Sequence, residues 1–184
     1  MFQRLLKKIG FALDKNRIPY MVIGGQAVLL YGEPRLTKDI DITLGVGVDR
    51  LNEMKAIVNR LSLKYLTDKV DHFVKETMVL PAIDQKSGIR IDFIFSYSPY
   101  ERQAIKRAKG ILFGKTRIKF AALEDVIIHK IIAERPRDIE DVESILLKNP
   151  EYDSHYIEKW LAEFDAALDK KYRKSFLDLK KRLM

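Results

Sequence analysis

Three aspartates are spaced for chemistry in this 184-residue chain: Asp39 and Asp41 in KDIDITL, and Asp92 in GIRIDFIF. Side chains alternate along an extended strand, so Asp39, Asp41 and Thr43 share one face while Ile40, Ile42 and Leu44 take the other. Arg90 and Asp92 likewise stand opposite the apolar set Ile89, Ile91, Phe93 and Phe95. Two carboxylates on one face repel each other, and Asp is disfavoured inside strands. A divalent cation removes the conflict, because Mg²⁺ takes one or two carboxylates together with waters and substrate phosphates. Upstream, Gly24-Gly25 falls where a short apolar strand (20–23) meets a brief helix (26–31). Glycines there leave backbone N–H groups unobstructed at a helix N-terminus, where an anion sits well. A phosphate cradle followed by a metal-binding aspartate pair predicts chemistry on a nucleoside triphosphate. Asp92 is the third carboxylate that two-metal phosphoryl chemistry uses. The plain alternative is three aspartates facing solvent on a half-exposed sheet.

The elements that must carry these residues can be read from periodicity. Phe2, Leu5, Leu6, Ile9 and Leu13 predict an amphipathic helix ending near Asn16. Gly45 and Gly47 end the aspartate strand, Asp49 reads as an N-cap, and Leu51, Met54, Ile57, Val58 and Leu61 predict the next helix. Two β runs, 73–83 and 89–95, flank the turn-like Asp84-Gln85-Lys86-Ser87-Gly88. Pro99 opens a short helix to about Arg107, and a second β pair (111–113 and 117–120) surrounds Gly114-Lys115. From Leu123 onward the pattern is helical: 123–133, 138–147 and a third helix capped by Asp153 or Ser154. Tyr172, Phe176, Leu179 and Leu183 continue the helical spacing in the tail.

Composition sets outer bounds. Apolar residues make up 47% and charged residues 33%, with no run long enough to span a bilayer, so no membrane association is expected. The start, MFQRLLKKIG, lacks the apolar stretch of a signal peptide, and a cytoplasmic location is the expectation. The absence of cysteine excludes disulfides, thiolate zinc sites and a cysteine nucleophile. Net charge is +8, and residues 170–184 hold seven Lys/Arg against the single Asp178. That stripe reads either as the solvated face of a packed helix or as a salt-sensitive contact for RNA phosphates.

As a set, Gly24-Gly25, Asp39-x-Asp41 and Asp92 resemble the signature of the polymerase-beta-like nucleotidyltransferase superfamily across roughly residues 18–96. The resemblance implies an α/β (α+β) fold, with a small mixed β-sheet core flanked by helices over 1–121 and a helical C-terminal part over 122–184. It implies that Asp39 and Asp41 bind the catalytic Mg²⁺ (or Mn²⁺) pair, and that Asp92 joins one metal while helping to deprotonate the acceptor hydroxyl. In the helical part, Lys130, then Arg135-Pro136-Arg137-Asp138 and Asp141, is similar to the Lys…Arg-x-x-Asp…Asp run of the AbiEii-like abortive-infection toxins. By that likeness Lys130 reaches the triphosphate, and Asp138 lies near the nucleotide or orients Lys130. Physically, a lysine is a compact point charge suited to phosphate. The plain alternative makes Arg137 and Asp141 a surface ion pair four residues apart on a helix. Thr37 fits a phosphate hydrogen bond or a strand start equally, and Gln26 a helix cap.

The expected activity is Mg²⁺-dependent transfer of a nucleoside monophosphate from an NTP, ATP among them, to a hydroxyl. The acceptor is open among tRNA, a protein side chain and a small molecule, and an antitoxin is the expected partner if the chain acts as a toxin. The contrasting expectation is a non-catalytic nucleotide- or RNA-binding module, or a toxin–antitoxin interaction module, with the same fold.

Overall fold

The computed structural model describes residues 2–96 and 98–183. It divides into two compact units, one formed by Met1–Gln26 with Leu36–Ala121 and the other by Ala27–Arg35 with Ala122–Met184. Met1 and Met184, the outer bounds of the expected halves, lie outside the described residues.

The first unit is built on a mixed seven-stranded sheet. Its strands are β1 (Tyr20–Ile23), β2 (Asp39–Leu44), β3 (Lys64–Tyr65), β4 (Val79–Asp84), β5 (Ile89–Phe95), β6 (Lys109–Phe113) and β7 (Thr116–Phe120), in the order β3-β4-β5-β2-β1-β7-β6. β2 runs antiparallel to β1 and parallel to β5, and β1 runs parallel to β7. The α/β mixed sheet that the resemblance implies is present.

Helix α1 (Phe2–Lys15) buries Leu6, Ile9 and Leu13 and lies against β7. Gly10 permits the close approach: a Cβ there would stand 2.5 Å from Ile118 Cδ1 and 2.7 Å from the Tyr20 hydroxyl. Helix α2 (Gly24–Tyr31) follows β1, and the division between the units falls within it. Helix α3 (Leu51–Arg60) buries Met54, Ile57 and Val58. A 3₁₀ turn (Val48–Arg50) precedes it with Gly47 at the N-cap, so Asp49 is not the cap that its type suggested.

The β run expected over 73–83 splits. Val70–Thr77 is helix α4 and only Val79–Asp84 is strand. Val70, Phe73 and Val74 are spaced i, i+3, i+4, and the left-handed Met78 (φ 60°) closes the helix before β4 begins. The hairpin at 84–88 forms with Gly88 at φ +69°, its N–H donating to the Asp84 carbonyl. Helix α5 (Pro99–Arg107) is started by a reciprocal capping box between Ser98 and Glu101.

The second unit is helical. It contains α6 (Leu123–Ala133), α7 (Pro136–Lys148), α8 (Ser154–Leu168) and α9 (Tyr172–Leu183), together with the last turns of α2. Asp153 is the α8 cap, accepting from the Tyr156 N–H at 2.9 Å. The end of α2 is tied to α7: Asn149 Nδ2 donates to the Tyr31 carbonyl (2.8 Å) and Lys148 Nζ to the Gly32 carbonyl (3.1 Å). Gly32 sits close under α7, where a Cβ would meet Ser144 Oγ at 2.6 Å.

The basic tail packs. Tyr172, Phe176 and Leu179 are buried, while Lys170 pairs with Glu134, Arg173 with Glu158 and Arg182 with Glu143. Lys180 donates to Ser154 Oγ. No helix among the described residues is long and apolar enough to cross a membrane.

Candidate active site

The site face begins where β1 ends. Ile23 is paired with Asp41 across the β1–β2 ladder, and the next residue, Gly24, turns the chain into α2 with φ +64°. Two demands meet at Gly24. The backbone is left-handed, and a Cβ would overlap the Asp41 carboxylate, 2.9 Å from its Cγ. The turn and the aspartate therefore occupy one small space, and only glycine leaves room for both.

The parallel β2–β5 ladder supplies the rest. Asp41 is the register partner of Asp92, and Asp39 that of Arg90. Register partners on adjacent strands share a face, so Asp39, Asp41, Arg90 and Asp92 all stand on one side of the sheet. The other side is fully apolar: Ile40, Ile42, Ile91 and Phe93 have no exposure. Burial of that side sets the register, since a slip of one residue would turn every aspartate into the core. Asp39 is exposed, and Asp41 and Asp92 are partly buried.

Arg90 forks onto Asp92, Nε to Oδ1 at 3.0 Å and Nη2 to Oδ2 at 3.0 Å, with its side chain 49% exposed against 18% for Asp92. The hydrogen bonds to Asp92 hold the guanidinium above its ordinary value. Partial burial opposes this, and the charges of Asp92, Asp39 and Asp41 add to it. Arg90 therefore lies in the field of all three carboxylates.

The donor set on this face, three carboxylates and no sulfur or imidazole, has the chemistry of a hard divalent cation. Asp41 and Asp92, as register partners, are the pair that could hold such an ion. Among the described residues, no group of three or more His, Asp or Glu side chains is already drawn together as a ligand cage. Beside the turn, the Gln26 amide hydrogen-bonds the Thr37 hydroxyl, so Gln26 bridges to Thr37 and holds the loop before β2. Gly25, the second residue of α2, is partly exposed.

Lys130 and Asp138 belong to the helical unit and make a different kind of cluster. Both are buried, as is Asp141. Lys130 Nζ binds Asp138 Oδ1 and lies 2.9 Å from Asp141 Oδ2. Arg35 closes the other end in a bidentate pair with Asp141, Nε to Oδ1 at 2.8 Å and Nη2 to Oδ2 at 2.9 Å. The surface pair considered for Arg137 and Asp141 is thus not what forms: Asp141 turns inward to Lys130 and Arg35, and Arg137 is exposed. A third buried acid, Asp125, accepts from the Tyr156 hydroxyl at 2.8 Å.

Sequence reasoning passed over Arg90 and Arg35 as working parts. The signal for Arg90 was present, since a residue two before Asp92 on a strand must share its face. For Arg35 no local signal existed, because its partner lies 106 residues away.

The sheet, the glycine turn and the paired aspartates define a nucleotidyltransferase fold. The chain belongs to the DUF6036 family, described as nucleotidyltransferases of unknown function, whose model matches residues 2–182. It is similar in structure to the antibiotic-resistance factor ANT(2'')-Ia, with a TM-score of 0.60 at 19% identity over 99% of this chain and 97% of that one. An antigenic nucleotidyltransferase-like protein from Paracoccidioides brasiliensis gives 0.58 at 16% identity, over 98% and 91%. The lincosamide antibiotic adenylyltransferase LnuA gives 0.50 at 14% identity, over 72% and 89%. No curated protein matches the chain.

Proposed function

We propose that the chain is a Mg²⁺-dependent nucleotidyltransferase of the class that moves a nucleoside monophosphate from an NTP to a hydroxyl and releases pyrophosphate. One observation carries the reading. Asp41 stands beside Asp92 in register, on the face that the Gly24 turn opens onto. Asp39 and Asp41 would hold the divalent cations and Asp92 would join them. Bound there, Mg²⁺ (or Mn²⁺) neutralises the triphosphate and lowers the cost of deprotonating the acceptor hydroxyl. The chain's own part is positioning: Gly24 and Gly25 present backbone N–H groups to the phosphates, Thr37 is steadied by Gln26 at the entrance, and Asp92 faces the incoming hydroxyl.

Lys130 and Asp138 belong to the helical unit. Their mutual clamp supports a structural part for both, and the nucleotide contact that the toxin resemblance implies for them has to be tested through KM for the triphosphate. Kinship with the AbiEii-like toxins and an antitoxin partner belong to the same proposal and rest on the Lys…Arg-x-x-Asp…Asp run, and a cytoplasmic setting is proposed with them. For the acceptor, the antibiotic-modifying structural neighbours favour trying a small polyhydroxylated molecule alongside tRNA and protein. The non-catalytic binder draws on one observation of its own: Asp92 is already held by Arg90.

The experiment is to incubate the protein with each α-labelled NTP and Mg²⁺ in the presence of total tRNA, the protein itself, tobramycin or lincomycin. Label transfer that disappears with EDTA supports the enzyme. A melting shift with NTP and Mg²⁺, with no transfer to any acceptor, supports the binder.

A further inference from the structure

We propose that Arg90 is the internal counter-ion of the acidic face, and that a divalent cation binds there by displacing its guanidinium from Asp92. The inference rests on reading that face as the metal site, and goes beyond it by naming what holds the site before the metal arrives.

Both Asp92 oxygens are engaged by one planar fork, at 3.0 Å each. A cation ligated by Asp92 and Asp41 together needs at least one of those oxygens, so the fork must open first. The register keeps Arg90 from leaving the neighbourhood, since it is the partner of Asp39 and shares the face with Asp41 and Asp92. Asp92 is held directly by that guanidinium, and the charges of Asp39 and Asp41 act on it as well. Removing it would free both Asp92 oxygens beside Asp41.

The pair is also poised to open. Arg90 is half exposed, and an ion pair in that setting is worth little to stability because water competes for both partners. Holding the sheet together is therefore a poor explanation for it. Its effect on a metal is larger, because the arriving cation must both break the fork and stay near a like charge. A polyphosphate on the same face changes that balance. It offers the released guanidinium oxygens that it can grip in the same forked way. Cation and triphosphate thus help each other to load, and by linkage the help is equal in both directions.

The test is a titration of Mn²⁺ followed by the loss of its free-ion electron paramagnetic resonance signal. The proteins are the intact wild-type chain, Arg90→Gln, Arg90→Lys and, as a control for the site, Asp41→Ala. Without nucleotide, Arg90→Gln should bind Mn²⁺ about tenfold more tightly than wild type, a change of about 1.4 kcal/mol. Arg90→Lys should fall between them, keeping the charge and losing the fork. Adding a non-hydrolysable triphosphate analogue should tighten Mn²⁺ on wild type more than on Arg90→Gln. Equal or weaker Mn²⁺ binding by Arg90→Gln overturns the proposal and leaves the metal site standing. A purely structural arginine would give that result together with a lower melting temperature. Binding that is absent from wild type and Arg90→Gln alike, or unchanged in Asp41→Ala, overturns the metal-site reading itself and the Arg90 proposal with it.

Discussion

Each unit brings aspartates and cations together, and the two clusters differ in burial. In the helical unit, Lys130 and Arg35 bind Asp138 and Asp141, with the exposed Arg135 3.8 Å from Asp138 and with the lysine and both acids almost out of solvent. On the sheet, Asp39, Asp41 and Asp92 share a face with Arg90, which forks onto Asp92 and is half exposed. Breaking a buried cluster strands a charge where water cannot reach. An accessible one leaves its carboxylates open to competition from a ligand. The first kind organises a fold, whereas the second is where chemistry is expected.

The sharpest way to break this contrast is to make the same deletion in both places. Lys130→Met leaves two buried carboxylates with Arg35 and the exposed Arg135 as their cations and should cost about 3–5 kcal/mol, lowering the melting temperature by roughly 10 °C. Asp92→Asn, on the sheet, should change stability by less than about 1 kcal/mol, because its partner returns to water. Urea melts of the two variants decide the matter, and equal losses would erase the distinction. If Lys130 also serves the nucleotide, a milder Lys130→Arg variant should raise KM for the triphosphate without lowering kcat.

The turn at Gly24 tests whether the acidic face tolerates change in its support. Gly24→Ala places a side chain at φ +64° and against the Asp41 carboxylate, so a loss of about 1–3 kcal/mol is expected. Transfer activity should fall much further than stability in the fraction that remains folded. Activity that merely tracks the folded fraction would detach the turn from the site.

Alkaline pH addresses each unit through one tyrosine. Burial, helped by the Asp14 charge, pushes Tyr20 up to about 12. In the helical unit, burial with the charges of Glu124 and Asp125 pushes Tyr31 up to about 12 as well. A phenol whose folded value lies above its unfolded one keeps its contribution below about pH 10 and loses it as pH rises through about 12. Melting temperatures should therefore fall across that window. Tyr20→Phe and Tyr31→Phe should each flatten part of the fall, and an unchanged slope in both would contradict the burial argument.

The smallest effect belongs to the tail. Arg173→Ala removes an exposed pair with Glu158 and should shift stability by a few tenths of a kcal/mol. Binding to total RNA with a steep salt dependence, lost on reversing the charges of Lys171, Lys174 and Lys181, would restore the nucleic-acid reading of that stripe.

Much of the acidic face was legible in the sequence because its causes are local. Alternation put Asp39 and Asp41 on one side, a glycine pair marked a tight turn, and Asp92 repeated the pattern on a second strand. That β2 and β5 lie parallel, with Asp41 opposite Asp92, depends on the order of seven strands and was not readable. Arg90 was visible beside Asp92, yet an arginine on a half-exposed strand has an ordinary explanation in solvent, which hid its fork. The run 73–83 reads as β, but Val70, Phe73 and Val74 keep helical spacing, and Val70–Thr77 forms a helix. Asp141 had a partner four residues away in sequence and chose one 106 away, because burying both Lys130 and Asp138 required a second cation nearby.

The most direct measurement is label transfer from an α-labelled triphosphate by Asp41→Ala beside the wild-type chain, with melting curves recorded on the same samples. Wild-type transfer that requires Mg²⁺, and a fall of at least about a thousandfold in a variant that melts within a few degrees of it, is the result expected of a residue holding charge in the transition state. Transfer by Asp41→Ala at the wild-type rate would contradict the assignment of this face as the catalytic one.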